Sequence, residues 1–251
     1  MPKLVILGSA NAISDTQHEN THMALLGEQR TILIDCVSNP LVRLQKADVD
    51  HHQITDVILT HFHPDHVSGV PLLLMNMWLL GRRQPLNVYG LHHTLQRIES
   101  LMDFYEWSHW PKFFPVVFHH LPAQPNMPVI TNDEFEILAS PVRHLVPTIG
   151  LRITFPQKNK VLTYSCDTEP CPEVVEMAAG ADVLIHEASG ATIGHSSAAQ
   201  AGSIARQAEV GQLYLIHYPT RGASYEHLVP DASSTFGGPV ALAEDFMVLE
   251  F

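Results

Sequence analysis

Short apolar runs with the length of β-strands recur along the chain, and turn residues separate them. The predicted strands are 3–7, 23–26, 31–34, 57–60, 86–89, 116–121, 135–139, 151–155, 161–164, 183–186, 213–217 and 247–250. Apolar positions with helical spacing predict helices at 40–47, 70–78, 91–105, 172–179 and 198–207. Ser196 or Ser197 is placed to cap the last of these helices.

The order of these elements predicts the fold class. The early strands follow one another closely and are expected to pair as hairpins, whereas the later strands alternate with helices. This mixture favours an α/β (α+β) fold with two mixed sheets and helices on their outer faces, a four-layer αββα sandwich, over one doubly wound sheet. We expect residues 1–251 to form a single domain, and the proline-rich stretch 122–128 to be a loop within it.

Composition narrows the classes of function. The net charge is -12 and only 14 residues are Lys or Arg, which argues against a general polyanion binder. The apolar runs are too short for a signal-peptide core or a membrane span, so a soluble, cytoplasmic protein is expected. The three cysteines, Cys36, Cys166 and Cys171, lack a metal-type paired spacing, and their odd number fits a reducing compartment.

The segment His61-Phe62-His63-Pro64-Asp65-His66 places four potential metal ligands within six residues, directly after a predicted strand. Imidazole and carboxylate groups are the ligands that zinc, iron and manganese accept. On an extended segment His61 and His63 face the same side, so they can bind one ion while Asp65 and His66, beyond the turn, face a second. The spacing therefore indicates two adjacent metal ions.

Two ions need further ligands, and three residues at the ends of predicted strands are candidates. His144 follows the strand 135–139, Asp167 follows 161–164 and His217 ends 213–217. Asp167 could bridge both ions through its two oxygens, with His144 completing one site and His217 the other. Taken together with the first cluster, these residues favour metal ligation over isolated polar positions.

Further motifs occur in a fixed order along almost the whole chain. They are Leu7-Gly8-Ser9-Ala10 with Asn20, Leu33-Ile34-Asp35-Cys36, the metal loop 60–71, Val88-Tyr89-Gly90, Asp167-Thr168, the run 181–188 that contains His186-Glu187-Ala188, Gly194-His195-Ser196-Ser197 and Leu242-Ala243-Glu244-Asp245. With these motifs the chain resembles the metallo-β-lactamase superfamily and, within it, the ribonuclease Z branch of phosphodiesterases. The His-Glu-Ala and Gly-His-Ser motifs separate this branch from lactamases and glyoxalases.

The resemblance implies a site with two Zn²⁺ ions, or Mn²⁺ or Fe²⁺ in their place. His61, His63, His144 and Asp167 would hold one ion, and Asp65, His66, Asp167 and His217 the other. A metal-bridging hydroxide would attack phosphorus, and the catalytic residues would be Asp65, His195 and Glu187. His195 would be the general acid for the leaving oxygen, oriented by Glu187.

The chain departs from this branch in two places. Members that process transfer-RNA 3′ ends usually carry a protruding RNA-binding arm, in many of them between the residues that match His144 and Asp167. Only 22 residues separate the two here, enough for two strands and a turn but not for an arm. Cys166 stands where the branch typically has glycine; we expect its side chain to be buried and to point away from that of Asp167 on an extended segment.

These departures favour a small phosphodiester as substrate, with Arg221 as a candidate phosphate contact. The first alternative is a transfer-RNA 3′-processing endoribonuclease without the arm. It would act on an RNA 3′ end, and the partner subunit of a homodimer would supply the RNA-binding contacts. Hydrolysis of a thioester, lactone or sulfate ester is the second. The aromatic stretch 104–114 is interpreted as a helix end packed on the core, with a substrate-stacking wall or a dimer surface left open.

Overall fold

Two seven-stranded sheets pack face to face, and helices cover their outer faces. The structure, a computed structural model, describes residues 1–221 and 225–251. The strands in it are β1 (Lys3–Gly8), β2 (His22–Leu26), β3 (Thr31–Ile34), β4 (Ile54–Leu59), β5 (Leu86–Leu91), β6 (Val116–Leu121), β7 (Met127–Thr131), β8 (Glu136–Val142), β9 (Thr148–Phe155), β10 (Lys160–Tyr164), β11 (Val183–Glu187), β12 (Gln212–Ile216), β13 (Val240–Leu242) and β14 (Val248–Glu250). The α-helices are α1 (Pro40–Lys46), α2 (Pro64–Val67), α3 (Val70–Leu79), α4 (His92–Phe104), α5 (Pro172–Ala178), α6 (Ala198–Gln207) and α7 (Leu228–Phe236).

The strand order is β14-β1-β2-β3-β4-β5-β6 in the first sheet and β13-β12-β11-β10-β9-β8-β7 in the second. Alternating side chains of one strand enter different layers, as β1 illustrates. Leu4 and Ile6 lie in the core between the sheets, while Val5 and Leu7 lie under the helices of the first sheet. Helices α5, α6 and α7 cover the second sheet with a third apolar cluster. The predicted four-layer αββα sandwich is confirmed.

Strand direction decides where the loops meet. β3, β4, β5 and β6 run parallel to one another, as do β10, β11, β12 and β13. β8 is antiparallel to β9, which is antiparallel to β10, so β8 and β10 point the same way. The loops that follow the parallel strands of each sheet therefore emerge at a common edge of that sheet.

The structure corrects several sequence-based boundaries. The stretch 122–128 is a loop only as far as Asn126, because Met127 and Pro128 belong to β7. β7 is the edge strand of its sheet, and its pairing with β8 shifts in register just after Pro128; proline is tolerated at such edge and bulge positions. Helix α7 carries Pro230 and several Ser and Thr residues, which hide its helical pattern. It forms because it packs closely on α6, where Gly202 lies against the backbone of Ala232.

Other predictions agree with the structure. The early strands β1, β2 and β3 pair as antiparallel hairpins. Ser197 is the N-cap of α6 and forms a reciprocal capping box with Gln200. Within the described residues, every helix is too short or too polar to cross a membrane.

Candidate active site

The predicted metal ligands come from separate strand ends and from the short helix α2. His61 and His63 follow β4, His144 follows β8, Asp167 follows β10 and His217 follows β12, while Asp65 and His66 lie in the first turn of α2. Pro64 occupies the first helical position of α2, where its fixed φ favours the helix start and the absent N–H costs nothing. The turn at Pro64 thus separates the two pairs of ligands, as the spacing predicts.

Three imidazole rings converge at the first group. His61 Nε2 lies 3.1 Å from His63 Nδ1, and His144 Nε2 lies 3.2 Å from the same His63 atom. The rings meet edge to face, with centroids 4.7 to 5.0 Å apart. Three nitrogens at this separation form a triangle whose centre is within reach of a single cation.

The surrounding hydrogen bonds determine which nitrogens of two of these rings carry protons. His144 Nδ1 faces the carbonyl oxygen of Gly194 at 2.7 Å, and a carbonyl can only accept. His61 Nδ1 lies 3.1 Å from the hydroxyl of Thr60, whose own proton is donated to Asp35. Both rings are therefore donors through Nδ1, and in the neutral ring Nε2 has a free lone pair directed at the group.

The second group combines two carboxylates with two imidazoles. Asp167 Oδ2 lies 3.2 Å from His217 Nε2 and 3.5 Å from His66 Nε2, and Asp65 Oδ2 lies 3.6 Å from His66 Nε2. The other nitrogens are again committed: His66 Nδ1 lies 2.8 Å from Asp35, and His217 Nδ1 lies 3.2 Å from the hydroxyl of Thr21. Asp167 Oδ2 is also 3.9 Å from His144 Nε2, so Asp167 stands between the two groups.

The donor set fits divalent cations. His66 Nε2 and Asp167 Oδ1 are both buried and have no hydrogen-bond partner among the described residues, which is costly unless a cation satisfies them. Burial lowers the pKa of His61, His63 and His144, which keeps these imidazoles neutral as metal ligation requires. Burial opposes charge on Asp167 too, yet His217 and His66 lower the pKa of its carboxyl well below the usual value.

A carboxylate–imidazole pair lies beside the metal ligands. Glu187 Oε1 accepts from His195 Nδ1 over 2.9 Å and from the backbone N–H of Thr168 over 3.0 Å, while its Oε2 accepts from the N–H of Ser189 over 2.9 Å. This hydrogen bond raises the pKa of His195. A ring nitrogen of His195 lies within 4.8 Å of ligand atoms of His144 and Asp167. The pair can therefore hold a proton at the edge of the metal group.

A family profile described as "Beta-lactamase superfamily domain" matches residues 30–218, which include every residue of the site described so far except Thr21. The chain belongs to this family. The family implies divalent metal ions.

Individual relatives agree with the family assignment. The ribonuclease Z of Methanothermobacter thermautotrophicus is 26% identical and aligns with 100% of this chain and 97% of its own length. The metallo-beta-lactamase fold protein YhfI from Bacillus subtilis superposes with a TM-score of 0.82 at 22% identity, covering 99% of this chain and 98% of that one. The short form of human tRNase Z superposes with a TM-score of 0.81 at 23% identity over the same shares. The resemblance to the ribonuclease Z branch, and with it the class of metal-dependent hydrolase, is confirmed.

Cys166 is buried as predicted, but the segment that carries it is not extended. Its φ is +55°, in the left-handed region that glycine adopts most readily and that other residues adopt rarely. The Sγ atom lies 3.6 Å from His61 Nδ1, the nitrogen that faces away from the metal group. The thiol therefore packs behind a ligand, and burial raises its pKa well above the usual value.

Two further sequence-based candidates remain, Arg221 and the aromatic stretch 104–114. Arg221 is exposed, and the contacts within the described residues do not join it to the site, so its role as a phosphate contact stays a prediction. The aromatic stretch 104–114 begins at the end of α4, one helix length of about 20 Å from the sheet edge where α4 starts. There Trp107, Trp110 and Phe113 pack against the outer core, in agreement with the preferred interpretation, whereas Phe104 is exposed.

The structure adds residues that the sequence-based site did not contain. Asp35 accepts hydrogen bonds from His66 and Thr60, and Thr21 accepts one from His217 while donating to the carbonyl of Ala10. Asp35 follows the buried strand β3, at the same sheet edge as the end of β4. A carboxylate directly after an apolar strand was the available signal for Asp35, whereas Thr21 has no comparable signal in the sequence.

Proposed function

We propose that this protein is a phosphodiesterase that uses two divalent cations, zinc in the first instance and manganese or iron as alternatives. The observation that carries the proposal is the position of Asp167, which stands between two groups of buried ligands while the Glu187–His195 pair lies beside them. The ligand groups alone would suit several hydrolases of this fold. The acid–base pair at their edge favours a reaction with a poor leaving group, because such a group needs a proton.

The proposed ligand sets follow the two groups. His61, His63 and His144 with Asp167 would hold one cation, and Asp65, His66 and His217 with Asp167 the other. When bound, the cations would supply an activated water at neutral pH and would offset the charge that develops on the phosphate oxygens.

Residues of the protein itself would supply the proton that the leaving oxygen needs. As the oxygen of water bonds to phosphorus, the bond to the leaving oxygen breaks, and that oxygen takes a proton from His195. Glu187 accepts a hydrogen bond from His195 Nδ1. The other ring nitrogen, Nε2, is then the one that would donate the proton to the leaving oxygen. The same hydrogen bond raises the pKa of His195, which favours the protonated ring that a general acid needs. The first sheet supplies His61 and the second supplies His195, so the activity would require residues 1–251 as one domain.

Processing of transfer-RNA 3′ ends is the second candidate, because the relatives that align over the full chain are named ribonuclease Z. The structure disfavours binding of a large RNA by the usual arm. His144 and Asp167 are connected through β9 and β10, which pair as a tight hairpin with one 3-10 turn between them. The alignment with the M. thermautotrophicus enzyme spans 305 positions against 251 residues, so that relative contains segments that this chain lacks. The partner subunit of a homodimer would have to supply the contacts that bind the transfer RNA.

Purified protein tests the proposal directly. Metal analysis should find two divalent cations per chain, and the loaded protein should hydrolyse bis(p-nitrophenyl) phosphate. Cleavage of precursor transfer RNA at its 3′ end would favour the second candidate, whereas its absence alongside phosphodiester hydrolysis would exclude it. If thioesters, lactones or sulfate esters were hydrolysed faster than any phosphodiester, the proposal would be wrong.

A further inference from the structure

Two imidazole rings meet on the helix side of the first sheet, outside the ligand groups described above. His92 Nδ1 lies 3.2 Å from His120 Nδ1, and the ring centroids are 5.1 Å apart. His92 is the first residue of α4, and His120 lies near the end of β6, the edge strand of its sheet. Both residues are exposed, so the space between the two nitrogens can be reached from solvent. The proposed phosphodiesterase reaction uses neither residue.

The alternation of side chains along β6 directs His120 towards α4. Phe118, two residues earlier, packs against the outer core beneath the helices. His119 lies on the opposite face of the strand, where its ring stacks on Tyr89 with centroids 4.4 Å apart and its Nε2 lies 3.0 Å from Asn87 Oδ1. His120 is therefore available to α4 and to solvent, whereas His119 is already held by its own contacts.

A carboxylate lies behind the His120 ring. His120 Nε2 lies 3.5 Å from Glu99 Oε2. Glu99 follows His92 by seven residues on α4, about two helical turns, so both side chains lie on one face of the helix and His120 contacts both. A negative charge beside Nε2 favours the tautomer that has its proton there. In that tautomer His120 Nδ1 keeps its lone pair, directed at His92.

This geometry is that of two ligands of one cation. Two nitrogens bound at about 2.05 Å to a tetrahedral Zn²⁺ lie about 3.3 Å apart. The imidazole nitrogens of the candidate active site have the same spacing, at 3.1 and 3.2 Å. A carboxylate beside the second nitrogen is the usual outer partner of a histidine that binds metal. Without a cation the contact is a hydrogen bond in which His92 Nδ1 donates, and a bound cation would take the place of that proton.

We propose that His92 and His120 bind a late first-row divalent cation, Zn²⁺ in the first instance, with Glu99 as a positioning residue for the His120 ring. Both imidazoles bind through Nδ1, and water completes the coordination. With two protein ligands, the site binds zinc more weakly than the candidate active site and fills only when zinc is in excess. It is lost on dialysis against buffer without metal.

The amount of zinc bound in excess Zn²⁺ tests this site. Equilibrium dialysis of protein purified without a polyhistidine tag should give one equivalent more for the wild type than for His92→Gln or His120→Gln. Glu99→Gln should weaken the additional site by about 10-fold, the scale of a lost outer partner. His120→Gln should keep the wild-type kcat for bis(p-nitrophenyl) phosphate. Because the zinc content is compared between variants, the result does not depend on the proposed function.

His109→Gln is the matched control. His109 is also an exposed histidine beside a carboxylate, with Nδ1 3.7 Å from Glu106 Oε2, but among the described residues it has no second imidazole in contact with it. This variant should bind as much zinc as the wild type. Equal zinc content in the wild type, His92→Gln and His120→Gln would overturn the inference. So would a loss of one equivalent in His109→Gln, because zinc would then bind surface histidines whether or not they are paired.

Discussion

His144 donates its Nδ1 proton to the carbonyl oxygen of Gly194 over 2.7 Å. One hydrogen bond thus joins a predicted metal ligand to the loop that carries His195. The bond orients the His144 ring so that Nε2 faces His63, and it holds the backbone next to His195 at the same time. The positions of the metal group and of the proposed general acid are therefore coupled through this carbonyl.

Gly194→Ala should disturb both groups. The φ of Gly194 is +83°, and an added Cβ would lie 2.9 Å from His144 Nδ1, so the His195 loop or the His144 ring must move. Gly81→Ala is the control, since Gly81 has φ +85° and open space where its Cβ would lie. Both variants should lose about 1–2 kcal/mol of unfolding free energy to backbone strain. Only Gly194→Ala should also reduce kcat and metal content. Equal activity of the two variants would show that activity does not depend on the link between His144 and the His195 loop.

Asp167→Ala should lose bound metal, because its carboxylate stands between both ligand groups and is buried. The measurement is the metal content per chain after dialysis against buffer without metal. Circular dichroism of the variant shows whether the fold is retained. Full retention of two ions would contradict the bridging position of Asp167.

His195→Ala should keep its metal and lose turnover by roughly 10²- to 10⁴-fold, the usual contribution of a general acid. The loss should be large for a nucleoside leaving group and small for p-nitrophenolate, which departs without a proton. Metal analysis and kcat with the two kinds of substrate check this. If His195→Ala released as much metal as Asp167→Ala, the division between ligand and acid would be incorrect.

Glu187→Gln should change the pH dependence of activity. The hydrogen bond to Glu187 raises the pKa of His195, so the protonated ring persists to higher pH and the acid is lost as pH rises through that pKa. Replacing the carboxylate by an amide removes the negative charge and should move the alkaline limb of kcat to lower pH. Profiles measured with a nucleoside leaving group give the comparison, and an unchanged alkaline limb would mean that His195 does not set it.

Acid should destabilise the protein through two buried histidines outside the ligand set. Burial lowers the pKa of His22 and of His186 to about 4, so the unfolded chain takes up these protons near the ordinary value of 6.5 while the folded chain does not. Stability is therefore retained above pH 6.5 and falls as pH decreases towards 4. Each histidine contributes a loss of about 2 kcal/mol between pH 7 and pH 5.

Urea unfolding of the metal-free protein in the presence of a chelator measures this effect. The His186→Gln variant should lose less stability between pH 7 and pH 5 than the wild type. His109→Gln should behave like the wild type, because the His109 side chain is 77% exposed. An identical pH dependence in all three proteins would show that His186 does not titrate in this way.

The sequence by itself determined twelve of the fourteen described strands, the sandwich class and the candidate metal ligands, because these depend on local patterns. Alternating apolar positions predict strands, and a cluster of ligands at 61–66 needs only adjacent residues to be recognised. His144, Asp167 and His217 could be chosen because each stands at a predicted strand end. The family resemblance added His195 and Glu187, which no periodicity would single out.

Only the tertiary structure decided how these residues meet. His144 and His63 are 81 positions apart and follow strands of different sheets, β8 and β4, so their 3.2 Å separation depends on how the two sheets pack. The hydrogen bond from His66 to Asp35 and the left-handed backbone at Cys166 were likewise decided by the tertiary structure. The physical reason is that strand register and sheet packing set distances between residues far apart in the chain, and local sequence carries no direct information about them.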